Sequence, residues 1–168
     1  FQEFLASHVL SDDSIELVEV ISPYIKKLPE LLSRIQERNI KVRIQAPFKD
    51  NYCLLDKETI DVYKKAGVRW YYPDDNIRKN HSKVYRFYGS ERVYTIIGSV
   101  NLTDPAWKGI ESRPKQIYNI ESAVLYIESD ESPFHLFKKE IKDETLKFIQ
   151  GEISEENWHE RIEIPEIT

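Results

Sequence analysis

The sequence predicts an α/β fold in which a mixed, mostly parallel β-sheet is flanked by helices. Strand-like and helix-like segments alternate from residue 15 to residue 73, which indicates crossover connections between parallel strands. Two further strand-like segments then follow each other across Gly89-Ser90-Glu91, a sequence typical of a hairpin. At 168 residues the chain suits a single domain with one core.

The first half of the chain carries three predicted strands and two predicted helices. Residues 15–22 form a β-branched apolar run, and residues 40–47 alternate apolar and polar side chains, so both are predicted strands. Apolar side chains recur at helical spacing in residues 28–38. Residues 55–66 form a second helix that a glycine ends, and residues 68–73 form a third strand.

The second half begins with the hairpin strands, residues 82–89 and 92–99, and continues with a strand at residues 118–127. A helix is predicted at residues 132–150, followed by a short acidic helix near 154–161. The apolar side of the longer helix would carry Phe134, Phe137, Ile141 and Phe148.

We expect residues 1–150 to form the domain and residues 151–168 to be a helical appendix or the start of a linker to a further domain. The chain contains no Met and no basic or apolar leader, which indicates an excerpt or a processed piece. No apolar run is long enough to cross a bilayer, so no membrane partner is expected. Cys53 is the only cysteine and can form no internal disulfide, so a cytoplasmic location is expected.

Charge is distributed unevenly along the sequence, although the net charge is −5. Five basic residues and one acidic residue lie between Arg78 and Arg92, whereas acids outnumber bases twelve to five from Glu128 onward. A basic strip in an acidic protein suggests a local anionic ligand such as one phosphate, and a solvated surface is the alternative.

Strand periodicity groups a set of polar side chains. His81 and Lys83 are two residues apart, so both point to the same face of their strand. Ser99 and Asn101 lie just past the partner strand, where Gly98 permits a tight turn, and the hairpin would bring them close to His81.

The strand at residues 118–127 adds a carboxylate to this set. Glu121 shares its face with Ala123, Leu125 and Ile127, so an inward face would bury it next to a charged or hydrogen-bonding partner such as a histidine. Such a set can carry out phosphoryl chemistry with no metal and no cofactor. The histidine supplies a nucleophile, Lys and Asn hold phosphate oxygens, and the carboxylate fixes the histidine tautomer.

These residues resemble a known family. Residues 80–103, NHSKVYRFYGSERVYTIIGSVNLT, resemble the phospholipase D superfamily signature, HxKxxxxD followed by GSxN. Residues 118–126, YNIESAVLY, resemble the strand that carries the family's supporting glutamate, and the similarity extends over roughly residues 12–127. The resemblance implies a phosphohistidine mechanism in which one histidine attacks phosphorus and a second protonates the leaving oxygen and later activates water.

The resemblance assigns a role to each matching residue. His81 corresponds to the nucleophile, Lys83 and Asn101 to the phosphate ligands, Ser99 to the supporting hydroxyl and Glu121 to the carboxylate that orients the histidine. The family's site needs two motifs and this chain has one, so we expect a homodimer with the active site at its two-fold interface.

The sequence departs from the family signature in two ways, one of which is a hairpin before GSxN about three residues longer than the simple pattern. Tyr88 stands where the family has an aspartate, and strand periodicity directs it away from His81 and Lys83, which indicates a structural role for that position. Asp74 and Asp75 precede the motif and could compensate.

Three functions are compatible with these residues. The first is a metal-independent nuclease acting on nucleic acid, with DNA as the expected substrate; the second is an inactive module that binds phosphate or nucleic acid within a larger DNA-processing protein. The third is a phospholipid hydrolase. The expected basic approach to a backbone phosphate comprises Arg78, Lys79, Arg86, Lys108, Arg113 and Lys115.

Overall fold

A six-stranded mixed β-sheet organises the part of the chain that the computed structural model describes, which is residues 1–26, 30–74, 77, 79–103, 106, 122–129, 134–142 and 146–148. The elements follow in the order α1 (Gln2–His8), β1 (Leu17–Ile21), α2 (Glu30–Glu37), β2 (Lys41–Gln45), β3 (Phe48–Lys49), β4 (Tyr52–Cys53), α3 (Lys57–Lys65), β5 (Arg69–Tyr71), β6 (Val84–Tyr88), β7 (Val93–Gly98) and β8 (Ala123–Glu128).

The strand order in the large sheet is β5-β2-β1-β6-β7-β8, and β3 pairs with β4 in a separate two-stranded ribbon. Strand β2 is parallel to both β1 and β5, while the pairs β1–β6, β6–β7 and β7–β8 are antiparallel. The predicted mixed α/β class is confirmed, although parallel pairs are fewer than expected. The crossover units supply only β1, β2 and β5, and the remaining strands join through antiparallel pairings.

The three described helices pack on one face of the sheet, which we call the helix face. Leu5 of α1, Leu32 of α2 and Ile60 of α3 belong to one buried cluster with strand residues such as Val18 and Tyr85. The remaining members from the six-stranded sheet are Val20, Val42, Ile44, Trp70, Phe87, Tyr94 and Ile96. Alternation along each strand therefore assigns one face to the main core.

Helix α3 shows why the local sequence predictions succeeded. The Asp56 side chain accepts a hydrogen bond from Thr59 N at 2.5 Å and caps the first turn. Gly67 adopts φ +81° just past the helix, a conformation that strains residues with a Cβ. The helix predicted at residues 55–66 is therefore confirmed as Lys57–Lys65, and Gly67 ends it as expected, whereas the cap at Asp56 was not predicted.

The opposite, outer face of the sheet carries buried polar side chains on its central strands. Glu19 of β1 has no exposed surface, and Arg86 of β6 and Thr95 of β7 are also buried. Residues 134–137 cover part of this face: Leu136 N donates to Glu19 Oε2 at 2.6 Å, and the Phe134 ring lies 4.3 Å from the Arg86 guanidinium.

The predicted helix at residues 132–150 is wrong for the residues the structure describes there, 134–142 and 146–148, none of which is helical. The segment instead runs antiparallel along the edge strand β5. Tyr72 N donates to Lys139 O at 2.9 Å and Ile141 N to Trp70 O at 2.8 Å, while Phe137 stacks on Tyr71 at 5.3 Å. Its apolar residues therefore pack against a strand, and these tertiary contacts outweigh the helical preference that their spacing indicates. The helix predicted near 154–161 lies outside the described residues.

Candidate functional site

The hairpin β6–β7 brings the two predicted motifs to one end of the sheet. Val84 opposes Ile97 in the register, and Gly98 N donates to Lys83 O at 3.2 Å. His81-Ser82-Lys83 immediately precedes β6, and Ser99-Val100-Asn101 immediately follows β7. The two motifs, separate in sequence, are therefore neighbours in space, as the sequence predicts.

The loop that carries Asn101 is fixed against the end of β1. Tyr85 Oη donates to Val100 O at 2.9 Å from within the core. Leu102 N donates to Ser22 Oγ at 2.9 Å, and Ser22 Oγ donates in turn to Tyr24 O at 2.8 Å. These bonds on both sides of Asn101 hold the loop in place, so little entropy is lost there when a ligand binds.

Gly98 is required by a close approach to β8. A Cβ at this position would collide with Ser122 O and would lie 2.6 Å from Ala123 Cα. Both are backbone atoms, so the collision could be relieved only by moving the start of β8. The reason for glycine is thus the neighbouring strand rather than the tight turn that the sequence analysis expected.

Ser99 connects the loop to the start of β8. Ser99 N donates to Ser122 O at 2.9 Å, and Ser122 N donates to Ser99 Oγ at 2.9 Å. Glu121, the residue next to Ser122, lies outside the described residues. The shared face of Ala123, Leu125 and Ile127 is the helix face, because Leu125 pairs with Ile96, and Leu125 alone of the three is partly buried there.

His81 and Lys83 contact each other directly. Lys83 Nζ lies 3.0 Å from His81 Nδ1 and also donates to His81 O at 3.0 Å. Lys83 is 8% exposed, whereas His81 is exposed. Because an ammonium group can only donate, Nδ1 accepts in this arrangement, and a neutral imidazole then carries its proton on Nε2.

Lys79 lies in the same neighbourhood, held by Tyr24. Its Nζ is 3.3 Å from Tyr24 Oη and 4.5 Å from the centre of the Tyr24 ring. The Tyr24 ring meets His81 edge-on, with 6.0 Å between ring centres. Burial, together with the smaller effect of the positive charges of Lys83 and Lys49, lowers the pKa of Lys79 to about 8. The predicted cation Lys79 therefore lies near the two motifs.

Arg86, another predicted phosphate contact, is not brought to this site. Its side chain is on the outer face, where it donates to Thr95 Oγ1 at 3.1 Å and pairs with Glu128 at 3.3 Å. Strand periodicity explains the difference, because Arg86 is three residues from Lys83 and so points the other way. The other predicted residues, Arg78, Lys108, Arg113 and Lys115, lie outside the described residues.

Tyr88 lies far from the motifs, as strand periodicity predicts. Its hydroxyl donates to Glu19 Oε2 at 2.7 Å on the outer face and contacts Phe134 O at 3.2 Å. Burial, followed by the hydrogen bond to Glu19, raises the pKa of Tyr88 well above its ordinary value. The position of the family's aspartate therefore belongs to a buried polar network here. Asp74 is exposed and Asp75 lies outside the described residues.

Two features of this region escaped the sequence analysis. Glu19 accepts from Arg43 at 3.1 Å and from Tyr88 and Leu136, with His135 Nδ1 at 3.5 Å. The sequence signal for this network was Glu19 itself, an acidic residue within the apolar run of β1. Tyr24, which follows Pro23 at the end of β1, was indicated only by its place at a strand end.

Within the described ranges no three His, Cys, Asp or Glu side chains are grouped closely enough to hold a metal ion. The same residues include no helix with the length and apolar character needed to cross a membrane.

No family model matches the chain, and no curated protein matches it. Among solved structures, the chain is similar to a phospholipase D family member, Nuc from Salmonella typhimurium, with 21% sequence identity and a TM-score of 0.46. The match covers 73% of this chain and 74% of that one.

Proposed function

We propose that the chain is a phospholipase D-like phosphodiesterase with His81 as its nucleophile. The observation that carries the proposal is that β6 and β7 bring His81 and Lys83 to the same sheet end as Ser99 and Asn101. Lys83 is nearly buried and directly contacts the imidazole, so a positive charge is fixed next to the nucleophile. A fixed charge of this kind stabilises the charge that develops on phosphate oxygens.

The geometry of the Lys83–His81 contact suggests an order of events. When a phosphodiester binds, the Lys83 ammonium transfers its hydrogen bond from His81 Nδ1 to a phosphate oxygen. Nδ1 can then carry the ring proton, and the resemblance assigns its acceptor to Glu121, which leaves the lone pair of Nε2 available. Nε2 attacks phosphorus, the P–N bond forms, and the bond to the leaving oxygen breaks. Water then attacks phosphorus and releases the histidine.

The leaving oxygen needs a proton, and the second histidine of the family mechanism has to come from elsewhere. His8 lies on α1, where its Nδ1 is 3.1 Å from Phe4 O, and His135 lies beside Glu19 on the outer face. His159 lies outside the described residues. We therefore place a second copy of His81 opposite the first across the two-fold axis of a homodimer.

The proposed substrate is nucleic acid, with DNA as the first choice. Cations close to the motifs, Lys79 and Lys83 among them, suit a backbone phosphate, although the net charge is −5. The location of Tyr88 on the outer face favours an active enzyme over an inactive binding module, because the replacement of the family's aspartate leaves the motif residues untouched.

The first test is hydrolysis of bis(p-nitrophenyl) phosphate in excess EDTA by the wild-type chain and by His81→Ala. His8→Ala is the matched control, because His8 is exposed on α1, away from the motifs. We expect EDTA-resistant turnover that is lost in His81→Ala and kept in His8→Ala. Turnover that survives in His81→Ala, or absence of turnover from this substrate, DNA, RNA and phospholipid vesicles alike, would contradict the proposal.

The dimer is tested by mixing wild-type and His81→Ala chains in equal amounts under conditions that allow subunit exchange. If each site needs His81 from both copies, only the roughly one quarter of dimers that contain two wild-type chains are active. Activity then falls to about a quarter of that of wild-type protein at the same total protein concentration. Independent sites would leave about half of that activity, and this result would argue against a shared site.

A further inference from the structure

Lys79, which shares the Tyr24 ring with His81, also lies within range of the positive charges of Lys83 and Lys49. The charges of Lys83 and Lys49 each lower the pKa of Lys79, so the three groups form one electrostatic cluster at the ends of β1 and β2. Lys49 belongs to the β3–β4 ribbon, and the Asp50 N–H donates to Ile77 O at 3.1 Å, which holds the ribbon beside the chain that leads to Lys79. A local concentration of positive charge attracts an anionic ligand.

The two inner cations are held by different partners. Lys83 is directed at His81, at 3.0 Å from Nδ1. Lys79 is directed at Tyr24, with Nζ 3.3 Å from the hydroxyl and 4.5 Å from the ring centre. The Tyr24 ring contacts both groups, with its centre 4.5 Å from Lys79 Nζ and 6.0 Å from the centre of the imidazole. The cluster therefore offers two separate positions for an anion.

The chain segment around Lys79 is also fixed in place. Asn80 Nδ2 donates to Gln45 Oε1 at 3.1 Å at the end of β2, and Ser82 N donates to Asn80 Oδ1 at 2.9 Å. These bonds hold Lys79 at a set position relative to His81, which favours recognition of a ligand with fixed spacing.

We propose that Lys79 and Tyr24 form a second anion subsite that binds the phosphate adjacent to the scissile one in a single-stranded nucleic-acid chain. The inference rests on the proposed function, in which His81 and Lys83 take the scissile phosphodiester. A chain of nucleotides presents a second phosphate one unit along its backbone, so it can occupy both positions at once. A ligand with a single phosphodiester can occupy only one.

The test compares two ligands that differ by one phosphate: thymidylyl-thymidine, which has one diester, and its 5′-phosphorylated form. Dissociation constants are measured by calorimetry in the His81→Ala background, so that cleavage plays no part. We expect the 5′-phosphate to tighten binding about tenfold at pH 7.5, the effect of one charge-assisted hydrogen bond. Adding Lys79→Gln should reduce this gain to about twofold or less, whereas the control Lys65→Gln, on the exposed last turn of α3, should keep it.

A variant that keeps the positive charge distinguishes an effect of the charge of Lys79 from an effect on the fold of its segment. Because the pKa of Lys79 is about 8, the gain from the 5′-phosphate should decline between pH 7.5 and pH 9.5. The other ionisable side chains nearby are Lys49, Lys83 and Tyr24. Lys79→Arg should keep the gain and lose this decline, since a guanidinium stays charged throughout.

An equal gain in Lys79→Gln and Lys65→Gln would overturn the subsite. The subsite and the proposed enzyme fail separately. The binding gain requires no turnover, whereas hydrolysis of bis(p-nitrophenyl) phosphate requires only the His81 site.

Discussion

Tyr88→Phe removes one hydroxyl from the buried network around Glu19, and it should lower the free energy of unfolding substantially. The hydroxyl donates to Glu19 Oε2 at 2.7 Å, and Glu19 has no exposed surface. A hydrogen bond to a charged partner contributes about 1.5–3 kcal/mol, and Glu19 keeps its contacts with Arg43 and Leu136 N in the variant. We therefore expect a loss of about 2 kcal/mol, or roughly 4–8 °C in Tm for a chain of this size.

The assay is equilibrium unfolding in urea, with Tyr94→Phe as the matched control. Both tyrosines lie in the β6–β7 hairpin and donate to a carboxylate, but Tyr94 bonds to Asp12, at 2.9 Å, which is only partly buried. The control should lose only about 0.5–1 kcal/mol, because water can hydrogen-bond the partly exposed Asp12 carboxylate once the hydroxyl is removed. Equal losses in the two variants would refute the reasoning that burial of Glu19 sets the magnitude.

Tyr88→Asp tests the same network with the residue that the phospholipase D signature has at this position. Tyr88→Asp would place a second carboxylate against Glu19 and remove a donor, so we expect a loss of about 3–5 kcal/mol, comparable with breaking a buried ion pair. Wild-type stability in Tyr88→Asp would show that the outer face adapts to either residue.

Two further outcomes follow from contacts described above. Gly98→Ala should cost about 1–3 kcal/mol in urea unfolding and lower turnover, because the new Cβ meets the backbone of Ser122 and Ala123; unchanged stability would mean that β8 shifts freely. Because the pKa of Tyr88 is raised in the folded state, its contribution is complete below the unfolded value of about 10 and is lost as the pH rises further. The stability difference between wild type and Tyr88→Phe should therefore be constant up to about pH 10 and shrink above it.

Local signals in the sequence were sufficient wherever the physics was local. Gly67 predicted the end of α3, and the two-residue period predicted both the Lys83–His81 contact and the outward direction of Tyr88. The hairpin then followed from the turn at Gly89, which brought the motifs together.

Long-range contacts were beyond the same reasoning. The spacing of Phe137 and Ile141 is helical, yet an unpaired edge of β5 competes for that segment and gains backbone hydrogen bonds from it. Arg86 was counted as a phosphate contact because of its charge, and the outer-face partners that bury it, Glu128 and Phe134, are distant in sequence. The charge of a residue does not show which face of a sheet it occupies. The two-residue alternation of the strand does, and it places Arg86 on the face opposite to Lys83.

The hydrogen bonds to Glu19 can form only one after another while the chain is being synthesised. Arg43 is 24 residues away, Tyr88 is 69 and Leu136 is 117, so each partner emerges from the ribosome well after the last. Until the final one arrives, the central strand β1 contains a carboxylate whose shell of donors is incomplete. Closing so long a loop is slow, and the domain should therefore reach its final stability late in translation.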